Sequence, residues 1–73
     1  MIVTLAHVRT IPDFGDKPGY CTKQSREWFA RHGLDWNAFR HHGIASEVLL
    51  ASGDALAIAL VRHAEDVEAR GGE

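Results

Sequence analysis

Trp28-Phe29-Ala30-Arg31-His32-Gly33-Leu34-Asp35, then Phe39-Arg40-His41-His42-Gly43-Ile44-Ala45-Ser46, then Leu50-Ala51-Ser52-Gly53-Asp54: three glycines ten residues apart punctuate the middle of this chain. Each follows a run that reads as helix, and a new run starts just after it. Glycine takes the left-handed conformation that closes a helix without steric penalty. The apolar residue behind it, Leu34 or Ile44, is placed to fold back onto the helix it leaves. Asp35, Ser46 and Asp54 are good N-cap residues for the next run. The stretch predicts short helices joined by short connections. The fold class expected is all-α, a compact bundle of four or five short helices with a long C-terminal helix and an N-terminal Pro/Gly-rich loop.

Working outward, Asp54 opens the longest expected helix, roughly 55–70. Leu56, Leu60, Ala64 and Val67 make one stripe, widened by Ala57 and Val61. Positions 55–61 are apolar without a break, so this helix is expected to be covered on most sides, by its own core or by a second chain. Ser46 should cap one turn over 47–51, with Val48, Leu49 and Leu50 too apolar to face solvent together. Asp35 should cap 36–42, with Trp36 and Phe39 inward and Arg40 behind them. Thr22 should cap 23–32, attached to the core by Trp28 and Phe29. The terminal helix is expected to pack against Trp28, Phe29, Trp36, Phe39 and Leu50.

Ahead of these lies a loop, residues 12–21, in which two prolines and two glycines forbid regular structure and Pro18-Gly19 reads as a turn centre. Phe14 and Tyr20 stand out in it as aromatics, either anchors to the core or contacts for a partner. Thr4 should cap a short helix, 5–10, with Leu5, Val8 and Ile11 on one side, ended by Pro12. Met1 to Val3 is β-prone, and residues 71–73 form a frayed tail.

With 73 residues and 45% hydrophobic content, the chain makes one domain, 1–73. A net charge of −2 excludes a strongly basic nucleic-acid binder by bulk charge. Lys23, Arg26, Arg31 and Arg40 against Glu27 and Asp35 leave positions 20–43 at +2, while positions 44–73 carry −4. That weak dipole suits docking to another protein. One cysteine, Cys21, excludes an internal disulfide. No charged-then-apolar leader opens the chain and no apolar run approaches ~20 residues, so neither secretion nor membrane spanning is expected.

Site chemistry is sparse. No two of the five histidines stand at i, i+4, and Cys21 has no second cysteine, so no metal is expected. Nothing in the sequence ties Cys21 or Ser25 to a histidine, and Gly-Asp-Lys-Pro-Gly lacks the spacing of a phosphate loop. No enzyme activity and no cofactor are expected. The basic and aromatic run 26–42 has the outline of a helix-turn-helix, but Asp35 stands where a phosphate would approach, and the aromatics are the segment's core candidates. Residues offered to a partner are Phe14, Lys17, Tyr20, Arg26 and Arg40.

The segment Trp28 to Trp36, followed by Phe39, Gly43-Ile44 and Leu50-Ala51-Ser52-Gly53-Asp54-Ala55-Leu56-Ala57, resembles a group of small proteins encoded by tailed phages and prophages near tail morphogenesis genes. The likeness covers about two-thirds of the chain. It implies a non-enzymatic virion or tail-assembly component, located in the virion or the bacterial host cytoplasm, whose partners are other phage proteins of the tail or tail tip. It implies no catalytic residues. The alternatives are a phage-encoded inhibitor of a host protein complex and, behind it, a small DNA-binding regulator; a homo-oligomer is compatible with each.

Overall fold

The computed structural model describes residues 1–12 and 19–71. Its elements run β1 (Ile2–Val3), α1 (Leu5–Thr10), α2 (Thr22–Arg31), α3 (Trp36–His42), β2 (Ile44–Ala45), α4 (Ser46–Ala51) and α5 (Ala55–Ala69). The architecture is mostly helical, as expected, with α5 the longest element. The difference from an all-α chain is an antiparallel ladder, in which Ile2 faces Ala45 and Val3 faces Ile44. The Ser46 N–H donates to the Met1 carbonyl at 2.9 Å and extends that pairing. Of the expected frayed tail, positions 72 and 73 lie outside the described residues.

The three glycine joints share positive φ but not geometry. At Gly33 the Leu34 N–H reaches back to the Phe29 carbonyl at 2.8 Å, and the Gly33 N–H reaches Ala30 at 3.1 Å. These two bonds are the Schellman closure, and Leu34 packs on the core as its apolar position requires. Gly43 has φ 78° and ψ −174°. That is the extended left-handed region, which is essentially reserved for glycine. It turns the chain from α3 straight into β2 instead of into another helix, so Ile44 pairs with Val3 rather than folding back.

Asp35 Oδ1 accepts the Ala38 N–H at 3.1 Å, and Asp54 Oδ2 accepts the Ala57 N–H at 3.0 Å. Both caps are the expected ones. Two others move by one residue. Cys21 and Ala45, not Thr22 and Ser46, hold the cap positions, and neither supplies a side-chain bond. The Ser46 hydroxyl bonds elsewhere. It accepts from the Met1 amino group at 3.3 Å and donates to Glu47 Oε1 at 3.2 Å.

The core sits where α5 meets α1 and α4, with the α2–α3 hairpin closing it. Phe29 and Phe39 are buried with ring centroids 4.8 Å apart, and Trp36 flanks both at 5.3 and 5.4 Å. Burying each large apolar side chain contributes about 1.5–3 kcal/mol, so this aromatic knot is the main tie between α2 and α3. Ala57 and Ala64 on α5 are buried, and their small side chains let neighbouring backbones approach beside Leu60 and Val61.

Two expected core residues are not in it. Leu49 is 1% exposed and Leu50 45%. On a six-residue helix only one of three successive apolar side chains can point at α5, and the 100° step turns Val48 and Leu50 outward. Leu56 is 51% exposed, because the buried stripe of α5 runs through Ala57, Leu60, Val61 and Ala64. The 55–61 run is therefore not covered on most sides: Ala55, Leu56 and Ala59 are exposed.

Candidate docking groove

A cavity of about 440 Å³ lies between α2 and α5. Its floor is core: Val8, Phe29, Leu49, Ala57 and Leu60. Its walls are Tyr20, Trp28 and Leu56, and its polar rim is Gln24, Glu27, Arg31 and Asp54. The size falls within the range of small-ligand clefts, and the apolar floor with a thin polar edge is the usual composition of a binding surface.

Local chemistry positions each wall. The Tyr20 N–H donates to the Val8 carbonyl at 3.0 Å and its hydroxyl donates to the Leu56 carbonyl at 3.0 Å, which ties the end of the loop to both α1 and α5. Just before it, the Gly19 N–H donates to the Ile11 carbonyl at 2.7 Å. The Trp28 indole stacks on His32 one turn along α2, with centroids 4.0 Å apart and planes 27° from parallel. Its Nε1–H is covered and has no acceptor among the described residues. Such a group costs about 1–3 kcal/mol relative to a satisfied one. Asp54 is committed to its capping bond, so the adaptable charges on the rim are Glu27 and Arg31, both exposed.

Of the residues the sequence offers to a partner, Tyr20 is the one that the structure brings to the groove among the described residues. Arg26 on α2 and Arg40 on α3 are exposed, outside the groove lining, and in no ion pair among the described residues. Phe14 and Lys17, together with Pro18 of the expected turn, lie outside the described residues. Trp28 and Leu56 carry the walls but read from the sequence as core, because an amphipathic count cannot tell a groove wall from a core residue.

A second cavity, about 400 Å³, opens between α1 and α5, where His7, His63, Glu68 and Arg70 stand among apolar Ile2 and Val67. His7 is 5% exposed. Burial holds the His63 imidazole below its ordinary range, and the charges of His7 and Arg70 push the same way against Asp66. Near the other end of α5's neighbour α4, the Glu47 carboxyl is held below its ordinary range by its backbone hydrogen bond, then by the Met1 amino group and the Ser46 hydroxyl. Among the described residues no three metal-ligating side chains gather, and no helix is long and apolar enough to cross a membrane. No family model matches the chain, and no curated protein or solved structure does either.

Proposed function

We propose that this chain is a non-enzymatic assembly component of a tailed-phage particle, which docks by the α2–α5 groove onto a larger protein of the tail or tail tip. The observation that carries the docking reading is the groove itself: an apolar floor reachable from outside, walled by Trp28 and a Leu56 that is half exposed. Trp and Tyr side chains in a pocket that a partner can desolvate are where binding free energy concentrates at protein interfaces, and Trp28 and Tyr20 stand at this one. The phage assignment rests on the likeness of 28–36 and 50–57 to small tail-region proteins. The unlike charges of positions 20–43 and 44–73 would orient the approach.

Mass spectrometry of purified virions tests it. The chain should be found in particles made with the native sequence and be lost or depleted when Leu56 is replaced by glutamate, a change at an exposed position that leaves the core intact. Virions that contain none of the native chain end the reading. A pull-down from host lysate that returns one host complex and no phage protein would put the inhibitor reading in its place.

A further inference from the structure

The α2 wall of the groove carries a charge pattern that complements itself. Glu27 and Arg31 stand four residues apart, about one helical turn, and both line the groove. They are exposed, and among the described residues neither enters an ion pair, with the other or with anything else. Arg31 is also the last residue of α2, so along the helix the acid comes first and the base closes it. A second helix laid antiparallel beside α2 answers both charges if it too carries an acid followed four residues later by a base. α2 is itself such a helix.

We infer that the free chain pairs with a second copy of itself across this groove, α2 against α2 about a two-fold axis. A two-fold contact is isologous: where residue i of one copy meets residue j of the other, j also meets i. With the axis at the level of Phe29 along the helix, Glu27 of each copy comes opposite Arg31 of the other. One geometric match therefore makes two ion pairs. The antiparallel arrangement also sets the C-terminal end of each α2 beside the N-terminal end of the other, where the helix dipoles attract. A parallel pairing would set Glu27 against Glu27 and Arg31 against Arg31, so the charges choose the direction.

The rest of the groove suits that occupant. Its sides are two helices, α2 and α5, whose backbone groups are bonded along their own axes. An extended segment finds no sheet edge to join there, whereas a helix arrives with its backbone already satisfied. Seated between α2 and α5, the α2 of the second copy covers the half-exposed Leu56 and the Trp28 ring, and by symmetry each copy does this for the other. Covering those walls supplies affinity, and the crossed charges supply register. The pairing does not rest on the tail assignment. It closes the groove in the free chain, and a larger protein that binds there displaces the second copy.

Sedimentation equilibrium of the purified chain, with no phage protein present, tests it. Between ~10 µM and ~1 mM the mass should rise from 8.1 kDa toward twice that value. Glu27→Arg and Arg31→Glu each set like charges at both contacts, so either variant alone should self-associate about tenfold or more weakly. Mixed one to one, the two variants regain both ion pairs, and the mixture should associate as the native chain does. Both positions are exposed, and an amide spectrum of each variant checks that its fold is kept. A native chain that stays at 8.1 kDa throughout overturns the pairing. So does a native dimer whose charge variants still pair alone, or whose mixture does not pair, since the contact then lies elsewhere. Should either variant not fold, Leu56→Glu on the other wall decides: it should hold the chain monomeric, and a dimer that it leaves unchanged overturns the proposal. A chain monomeric in solution yet present in virions ends the pairing and leaves the docking reading standing; a dimer absent from virions does the reverse.

Discussion

Replacing Gly43 by alanine should be the most damaging glycine substitution among the three central joints, and the structure says why in two separable parts. The backbone there, φ 78° and ψ −174°, costs a non-glycine residue about 1–3 kcal/mol. The methyl group adds a steric part. A Cβ on Gly43 would lie 2.5 Å from Ile2 Cγ2 and 2.8 Å from the Val3 carbonyl oxygen, against a normal separation of about 3.5–4.0 Å between carbon atoms. Ile2 is exposed and its side chain can swing aside. The Val3 oxygen belongs to the backbone of β1 and cannot, so β1 must shift away from β2. Comparable overpacking costs about 1–3 kcal/mol. Together the change should cost roughly 2–6 kcal/mol, out of the roughly 4–11 kcal/mol expected for a domain of this length. Gly33 is the control. It has φ 67°, but a Cβ there meets nothing within 4 Å. Gly33→Ala should show only the left-handed backbone cost, about 1–2 kcal/mol. Urea unfolding of both variants with the slope compared to the native chain supplies the difference. In a thermal scan Gly43→Ala should melt at least ~8 °C below the native chain, since one kcal/mol is worth about 4–8 °C at this size. If Gly43→Ala proves no more costly than Gly33→Ala, then β1 does not lie against the Gly43 joint and the two-stranded ladder is wrong.

Leu49→Ala should cost about 2–5 kcal/mol as a buried truncation, while Leu50→Ala stays within about 0.5 kcal/mol as a surface change; the reverse order in chemical denaturation would mean that α4 is rotated by one residue. Asp54→Ala should cost about 1 kcal/mol through loss of the α5 cap, and Asp54→Ser should recover most of it; equal losses for both would show that the Ala57 N–H bond is not the source. The lowered affinity of His63 for a proton has a definite sign. The unfolded chain binds that proton at higher pH than the folded one, so the stabilisation is fully present above the unfolded value of about 6.5 and is lost as pH falls through it, levelling off once the folded ring also charges. The urea midpoint should therefore drop between pH ~7.5 and ~5.5, and less so in His63→Gln; a midpoint that rises on acidification would contradict the desolvated setting of the ring.

The helical part of this fold is legible because it is written in local chemistry. Asp35 and Asp54 cap through bonds that reach only three residues, and Gly33 closes α2 with Leu34 through its nearest turn. The parts that are not legible depend on residues far apart in sequence. A two-residue strand has no period to detect, so nothing in Ile44-Ala45 announces that it pairs with Ile2-Val3 some forty positions away. The resemblance between the Gly33 and Gly43 junctions is real in sequence and misleading in space, because the second is decided by β1. Leu49 and Leu50 are indistinguishable by composition, as are Leu56 and Ala57 within an unbroken apolar run; only the way α4 and α1 pack on α5 selects which is buried. Tyr20 is recognisable as a loop aromatic, whereas the groove it borders exists only once α2 has been laid across α5.

On the docking proposal, what marks that groove is that two different deficits of the isolated chain meet there. A domain this short buries only roughly 60% of the surface of its unfolded chain, so some apolar exposure is unavoidable, and Ile2, Val48 and Leu50 show it away from the groove. Here a half-exposed Leu56 sits beside Trp28, whose indole N–H is covered without an acceptor among the described residues. A partner cannot gain much by touching residues that are already content in water. It gains by covering Leu56 and the half-buried Trp28 ring beside it. If the chain docks as proposed, these two deficits of different chemistry at one edge of one cavity are the physical reason to look for the partner first at the α2–α5 seam, ahead of the exposed cations Arg26 and Arg40.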